Sequence, residues 1–374
     1  MNSTKRRGSW KRREEQMDES TVATHNHDDH RRSERKDGEE TKSRGKSYRL
    51  LTFDEVPDYM KDNEFIRKYY RGEWPLKHLL LSLFRWHNET LNIWTHLMGF
   101  ALFLGLVAVN LVHAHQVVDL FGIFRYFTNG TETNLSYNSG EIEETMKLHG
   151  AVKQHHLNHL GYNSMPVEIA AAQWPFYTFM GGAILCLLSS TTYHLFSCHS
   201  HHLSLLLSRA DYAGIAVMIV ASFFPPIYYI FQCQPHWQIA YLSVITLIGI
   251  FTVAALLSPP LSSGKYRVFR TLLFSSMGLF GLIPAVHATV VNWDNPRRNT
   301  IVAYELFMAF FYLVGAGFYA SRVPERFKPG FFDVAGQSHQ IFHVLVVLGA
   351  LAHYGAVLVL LDYRDVVGCD TTLG

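Results

Sequence analysis

The stretch "FDVAGQSHQIFHVLVVLGALAHYG", residues 332–355, sets His339 and His343 at the mouth of a long apolar run. In a helix, positions i and i+4 lie on one face, a single turn apart. In lipid, each polar side chain must find a partner within the protein or cost several kcal/mol. Two imidazoles so placed are either a very costly accident or half of a metal site. The apolar run behind them points to a membrane span.

Working outward, seven segments have the roughly 20 mostly apolar residues that a bilayer-crossing helix needs. They are 91–113, 173–194, 211–231, 237–257, 271–291, 301–320 and 340–361. The chain of 374 residues is 48% hydrophobic and 14% aromatic, yet its mean hydropathy is close to zero. Residues 1–50 account for that, being almost devoid of large apolar side chains. Such a segment cannot bury enough surface to offset its ordering entropy, so a disordered cytosolic tail is expected. Residues 51–88 mix apolar and basic side chains, as an amphipathic helix lying on the inner interface would. Residues 89–363 then form a seven-helix membrane domain with a long outer loop at 114–172, and 364–374 an outer tail. The net charge of +2 is too small to suggest a nucleic acid partner. With a hydrophilic N-terminus and no cleavable signal, the first span is expected to act as its own insertion signal.

Orientation follows the basic residues. Arg67, Lys68, Arg71, Lys77 and Arg85 precede the first span; Lys265, Arg267 and Arg270 follow the fourth; Arg322, Arg326 and Lys328 follow the sixth. The opposite loops are poorer, although Arg297 and Arg298 flank the sixth span. The N-terminus is therefore expected in the cytosol and the C-terminus outside. Two glycosylation acceptors, Asn129 and Asn134, fall in the outer loop and agree. The four cysteines show no zinc spacing and do not read as a disulfide framework, although Cys233 and Cys369 fall on the expected outer side, where one disulfide could form.

With that topology, polar residues fall at one depth. The second span ends in "LLSSTTYHLFSCHS", with Ser190 and His194 on one face near the cytosol. The third opens there with "RADYAGIA", bringing Asp211, and the seventh opens there with His339 and His343. Three imidazoles and an open, water-filled position form a catalytic zinc site, with Zn–N distances of about 2.0–2.1 Å. The reading is Zn2+ held by His194, His339 and His343, Asp211 as holder of the water and general base, and Ser190 in support.

Each element has a plainer reading. The pair His155 and His159 has the same spacing but sits in the outer loop with no third ligand, so it reads as solvated. His199, His201 and His202 read as a polar cytosolic turn, and the tail histidines at 25–30 lack fixed geometry. His96, His113, His287 and His353 read as hydrogen-bonded bundle residues, and Asp211 by itself could cap its helix.

The motifs "ETLNIWTHLMGF" (89–100), "SSTTYHLFSCHS", "RADYAGIA", "SRVPERFKPGFFD" and "QSHQIFHVLVVLGALAHY" resemble those of the progestin and adipoQ receptor family, the adiponectin receptors and plant heptahelical proteins among them. The resemblance spans roughly residues 52–370 and excludes the tail and the long loop. It implies seven helices around a buried zinc and an inside N-terminus. It carries the zinc ligands onto His194, His339 and His343, the water-holding carboxylate onto Asp211 and the motif serine onto Ser190. The wider superfamily contains alkaline ceramidases, so a ceramide-like lipid substrate is also implied. The plant-like branch implies a role in hormone, sugar or stress signalling through an extracellular or cytosolic partner, in the plasma membrane or an endomembrane.

Two functions follow: a zinc amidohydrolase within the bilayer, and a receptor whose zinc is only structural. A transporter is disfavoured, because its polar residues should continue through the membrane rather than cluster at one side.

Overall fold

The computed structural model describes residues 48–112, 172–258, 261, 264–292 and 295–366. Asn129, Asn134, His113, His155, His159, Cys369, the tail histidines and nearly all of the two terminal tails and the long loop lie outside these residues. Among the described residues the fold is helical, and extended backbone pairs only in the isolated bridge between Leu51 and Tyr70.

Seven helices are long and apolar enough to cross a membrane. They are α1 (Thr90–Val112), α2 (Trp174–Phe196), α3 (His201–Ile230), α4 (Pro235–Leu256), α5 in two pieces (Arg267–Phe280 and Leu282–Val291), α6 (Arg298–Ser321) and α7 (Ser338–Val366). Proline in the first turn opens α2 and α4, where a missing N–H loses nothing. The third helix begins ten residues before its apolar run, because Ser200 caps it by accepting from the Leu203 N–H. His201 and His202 thus open α3 rather than forming a turn, and Asp211 lies well inside it. Its job is not capping. The break in α5 at Gly281 follows from Pro284, whose lack of an N–H frees the carbonyl one turn earlier.

The outward faces stay apolar: Leu104, Leu247, Ile250, Phe251, Leu306 and Phe310 are all exposed. A belt of that kind is what a lipid-facing surface requires. Inside, Phe103, Phe176, Phe179, Met180, Leu187 and Tyr354 form a core that joins α1, α2 and α7. Helices α2 and α3 approach closely at two glycines. A Cβ on Gly182 would lie 2.6 Å from the Ala221 Cβ, and one on Gly214 would lie 3.2 Å from the Cys186 Cα. Small residues let membrane helices come this near. One turn beyond the Gly214 contact, the same approach aligns Asp211 with Ser190.

Residues 48–88 cap one end of the bundle. Helix there is confined to Leu76–Leu81 and two short 3-10 turns, while Val56, Ile66 and Tyr70 make a small core of their own. Leu76, Leu80, Leu81 and Phe84 are exposed, and Leu79 is buried beside Trp74 and Cys198. Arg71, only 1% exposed, donates to the carbonyls of His194 (2.6 Å) and Leu195 (3.0 Å) and to the Ser82 hydroxyl (2.8 Å). This satisfies the last turn of α2, whose carbonyls have no helical partner. At the other end Cys233 is disulfide-bonded, whereas Cys186 and Cys198 are free and buried.

Substituting Gly182→Val places two methyl groups where Ala221 already stands. Loss of about 1–3 kcal/mol is expected, read as a lower melting temperature of the detergent-purified chain. An unchanged melting temperature would mean that the α2–α3 spacing is not set here.

Candidate metal centre

The residues singled out in the sequence converge at the capped end. One nitrogen from each of His194, His339 and His343 lies within 4.8 Å of the others. The His194 and His339 Nε2 atoms are 3.2 Å apart, and the ring centroids of His339 and His343 are 4.6 Å apart. Helix α2 supplies the first ligand from its last turn, and α7 supplies the other two from its first turns.

The start of α7 is fixed from outside the helix. The buried Glu325 accepts from the Ser338 N–H at 2.8 Å and from the Ser338 hydroxyl, and also from Asn63 at 3.1 Å. Gln340 Oε1 accepts from the N–H groups of Gly336 (2.7 Å) and Gln337 (3.2 Å). First-turn donors are thereby satisfied, and His339 is held at a defined height.

Hydrogen bonds on the far side of the rings decide which nitrogens face inward. His194 Nδ1 lies 2.8 Å from Glu89 Oε2. Burial alone would raise the Glu89 carboxyl, but the hydrogen bonds it accepts from His194 and Asn92 act against that and hold it low. As a carboxylate it can only accept, so His194 carries its proton on Nδ1 and presents a bare Nε2. His343 Nδ1 lies 3.1 Å from the Asn92 carbonyl, which also only accepts, so its Nε2 is bare too. Behind Glu89, burial and then the Arg71 guanidinium push the His87 imidazole down to about 3, and its Nδ1 accepts from the Glu89 N–H at 3.1 Å.

These residues fit a zinc ion. Two buried imidazole nitrogens facing each other at 3.2 Å repel unless a cation or proton lies between them. Nitrogens sharing a tetrahedral zinc at about 2.0–2.1 Å stand roughly 3.3 Å apart. Three imidazoles are also the donor chemistry that zinc prefers. Asp211 is buried beside them, its Oδ1 has no partner within the chain, and the Ser190 side chain hydrogen-bonds the carboxylate. All five predicted residues are therefore brought together.

The sequence reading missed the contribution of α1. Glu89, Asn92 and Thr95 all reach the ligand rings, Thr95 Oγ1 lying 3.3 Å from His343 Nδ1. His96, read as hydrogen-bonded, instead stacks on His343 with centroids 3.6 Å apart and planes at 8°, and neither of its nitrogens has a hydrogen-bond partner. The signal was in "ETLNIWTH", where an acid and an amide stand three apart at the mouth of a span. By contrast His287 bonds Tyr241 at 3.0 Å and His353 bonds Glu305 at 3.0 Å, as bundle residues should.

Residues 84–354 match the family model described as haemolysin-III related. The heptahelical transmembrane protein ADIPOR1 of Oryza sativa subsp. japonica is 53% identical over 340 residues, 87% of each chain. Heptahelical transmembrane protein 1 of Arabidopsis thaliana is 50% identical over 320 residues, 86% of this chain and 83% of its own. The adiponectin receptor protein of Drosophila melanogaster is 33% identical over 320 residues, 85% of this chain and 61% of its own. The chain therefore belongs to the haemolysin-III-related family, with the plant heptahelical transmembrane proteins and the adiponectin receptors, and is a multi-pass integral membrane protein.

Proposed function

We propose that this chain is a receptor-like membrane protein that binds one zinc at His194, His339 and His343 and hydrolyses a ceramide-type lipid amide. The observation that carries the reading is the convergence of three imidazoles, those of His194 and His343 buried and that of His339 partly so, beside a carboxylate with a free oxygen. A structural site closes all four positions with protein ligands, whereas three ligands and a nearby carboxylate suit catalysis.

When bound, zinc would polarise an amide carbonyl and lower the pKa of a water in its open position to about 7. The chain's own residues do the rest. Asp211 Oδ1 is the acceptor for the proton released at that position and, once protonated, the donor to the departing amine nitrogen. Ser190 holds the carboxylate by its hydrogen bond and leaves Oδ1 without a partner in the chain. The surrounding apolar helices admit a lipid and hold out bulk water, which strengthens each charge interaction. A receptor role, with the N-terminus in the cytosol, would use the same centre to tie α2 to α7.

That tie favours a second reading, a signalling receptor with a purely structural zinc. The ligands bridge two helices that are otherwise joined mainly by apolar packing.

Zinc content and ceramide turnover of the purified full chain separate the readings. His339→Ala should fall from about one zinc per chain to a small fraction of that, with turnover lost alongside. Asp211→Asn should keep its zinc and lose about 10²–10⁴-fold in turnover. Zinc-replete wild type without turnover above background leaves the structural reading standing, and a folded wild type without zinc removes both.

A further inference from the structure

We infer that Glu89 is a positioning residue of the metal centre, and that through it the turn leading into α1 sets how tightly the three histidines hold their ion. The inference rests on the zinc reading above and deepens it. Zinc accepts a lone pair, so a ligand histidine must offer the right nitrogen and keep its proton on the other. For His194 that choice falls to Glu89 Oε2, 2.8 Å from Nδ1. A neutral imidazole in water divides its proton between two nitrogens, and one buried beside a carboxylate does not. The bond also fixes the ring's rotation, which a histidine at the frayed end of a helix would otherwise sample.

Glu89 is well placed for this because it is itself immobilised. Asn92 Nδ2 donates to the same Oε2 at 2.7 Å, Asn88 Nδ2 donates to Oε1 at 3.1 Å, and the Glu89 N–H is taken by His87. The Asn92 carbonyl meanwhile receives His343 Nδ1. The Asn88 carbonyl accepts from Gln337 Nε2 at 3.2 Å, two residues before His339. The short stretch Asn88–Asn92 at the start of α1 therefore touches α2 and the beginning of α7, although none of its side chains is a ligand. The Asn88 N–H, bonded to the Tyr69 carbonyl, ties the same turn to the capping segment, whose Arg71 also holds the carbonyl of His194.

The test compares wild type, Glu89→Gln and Glu89→Ala in the purified full chain, reading zinc per chain, zinc affinity by competition with a chelator, and melting of the metal-stripped protein. An amide oxygen can still accept from Nδ1–H, so Glu89→Gln should retain more affinity than Glu89→Ala. The alanine variant should weaken zinc binding by roughly 10–100-fold, with melting of the stripped protein unchanged. Equal zinc affinity in all three, or a loss that merely follows a lower melting temperature, would overturn the inference. Nitrogen-15 spectra of the ring-labelled, metal-stripped chain test it without zinc. His194 should show the Nδ1–H form in wild type and a mixture in Glu89→Ala, and an unchanged tautomer would overturn the inference. A wild type that binds no zinc would instead overturn the zinc reading, and the tautomer result would still decide the role of Glu89.

Discussion

Two imidazole nitrogens, one on His194 and one on His339, face one another at 3.2 Å at the capped end of the bundle. Much of the structure at the capped end follows from making that arrangement tolerable. Two ring nitrogens at this distance, out of water, need a proton or a cation between them, and the third imidazole makes the group a donor set that fits a metal ion. The protein must then hold three flexible rings against their tendency to turn away. It does so from behind each ring or from the backbone beside it: Glu89 and Arg71 at His194, Asn92 at His343, Glu325 and Gln340 at the start of α7. Little of this holding comes from apolar packing. In a bilayer, where burial against lipid and burial against protein are nearly equivalent, polar contacts must place the elements.

The small residues act at the next level out. Because Gly182 and Gly214 let α2 and α3 nearly touch, Ser190 and Asp211 meet without a long side chain spanning the gap. A carboxylate on a short side chain has few rotamers, so its free oxygen is held at modest entropic cost. The close approach and the chemistry are one feature described at two scales.

Much of this was legible in the sequence because it is periodic. Seven apolar runs give seven helices, and i, i+4 spacing predicts that His339 faces with His343 and Ser190 with His194. The parts that were not legible are non-periodic. Ser200 starts α3 ten residues before the apolar run, since a capping bond decides a helix start and hydropathy does not report it. Residues 51–88 were expected to form an amphipathic interfacial helix; helix there is confined to Leu76–Leu81 and two short 3-10 turns, and most of the rest is irregular backbone held by side chains such as Tyr70 and Arg71. Glu89 was passed over because its partner, His194, is 105 residues away, and local spacing carries no trace of that contact.

The expectation that polar residues would gather at one depth also needs refinement. Glu305 and His353 pair at 3.0 Å, and Asn110 donates to the Tyr354 hydroxyl at 2.9 Å, well along the helices from the metal centre. On α7, ten residues separate His343 from His353, about 15 Å of helix. Between the two layers stand Phe103, Phe179, Ala183, Leu187, Val346 and Ala350, all buried and apolar. The upper layer is thus a second set of polar contacts that joins α6 and α1 to α7, separated from the candidate metal centre by apolar side chains. An ion or polar solute moving between the layers would have to shed its partners in that core. The bundle is therefore better suited to hold a polar site at one end than to conduct through its middle.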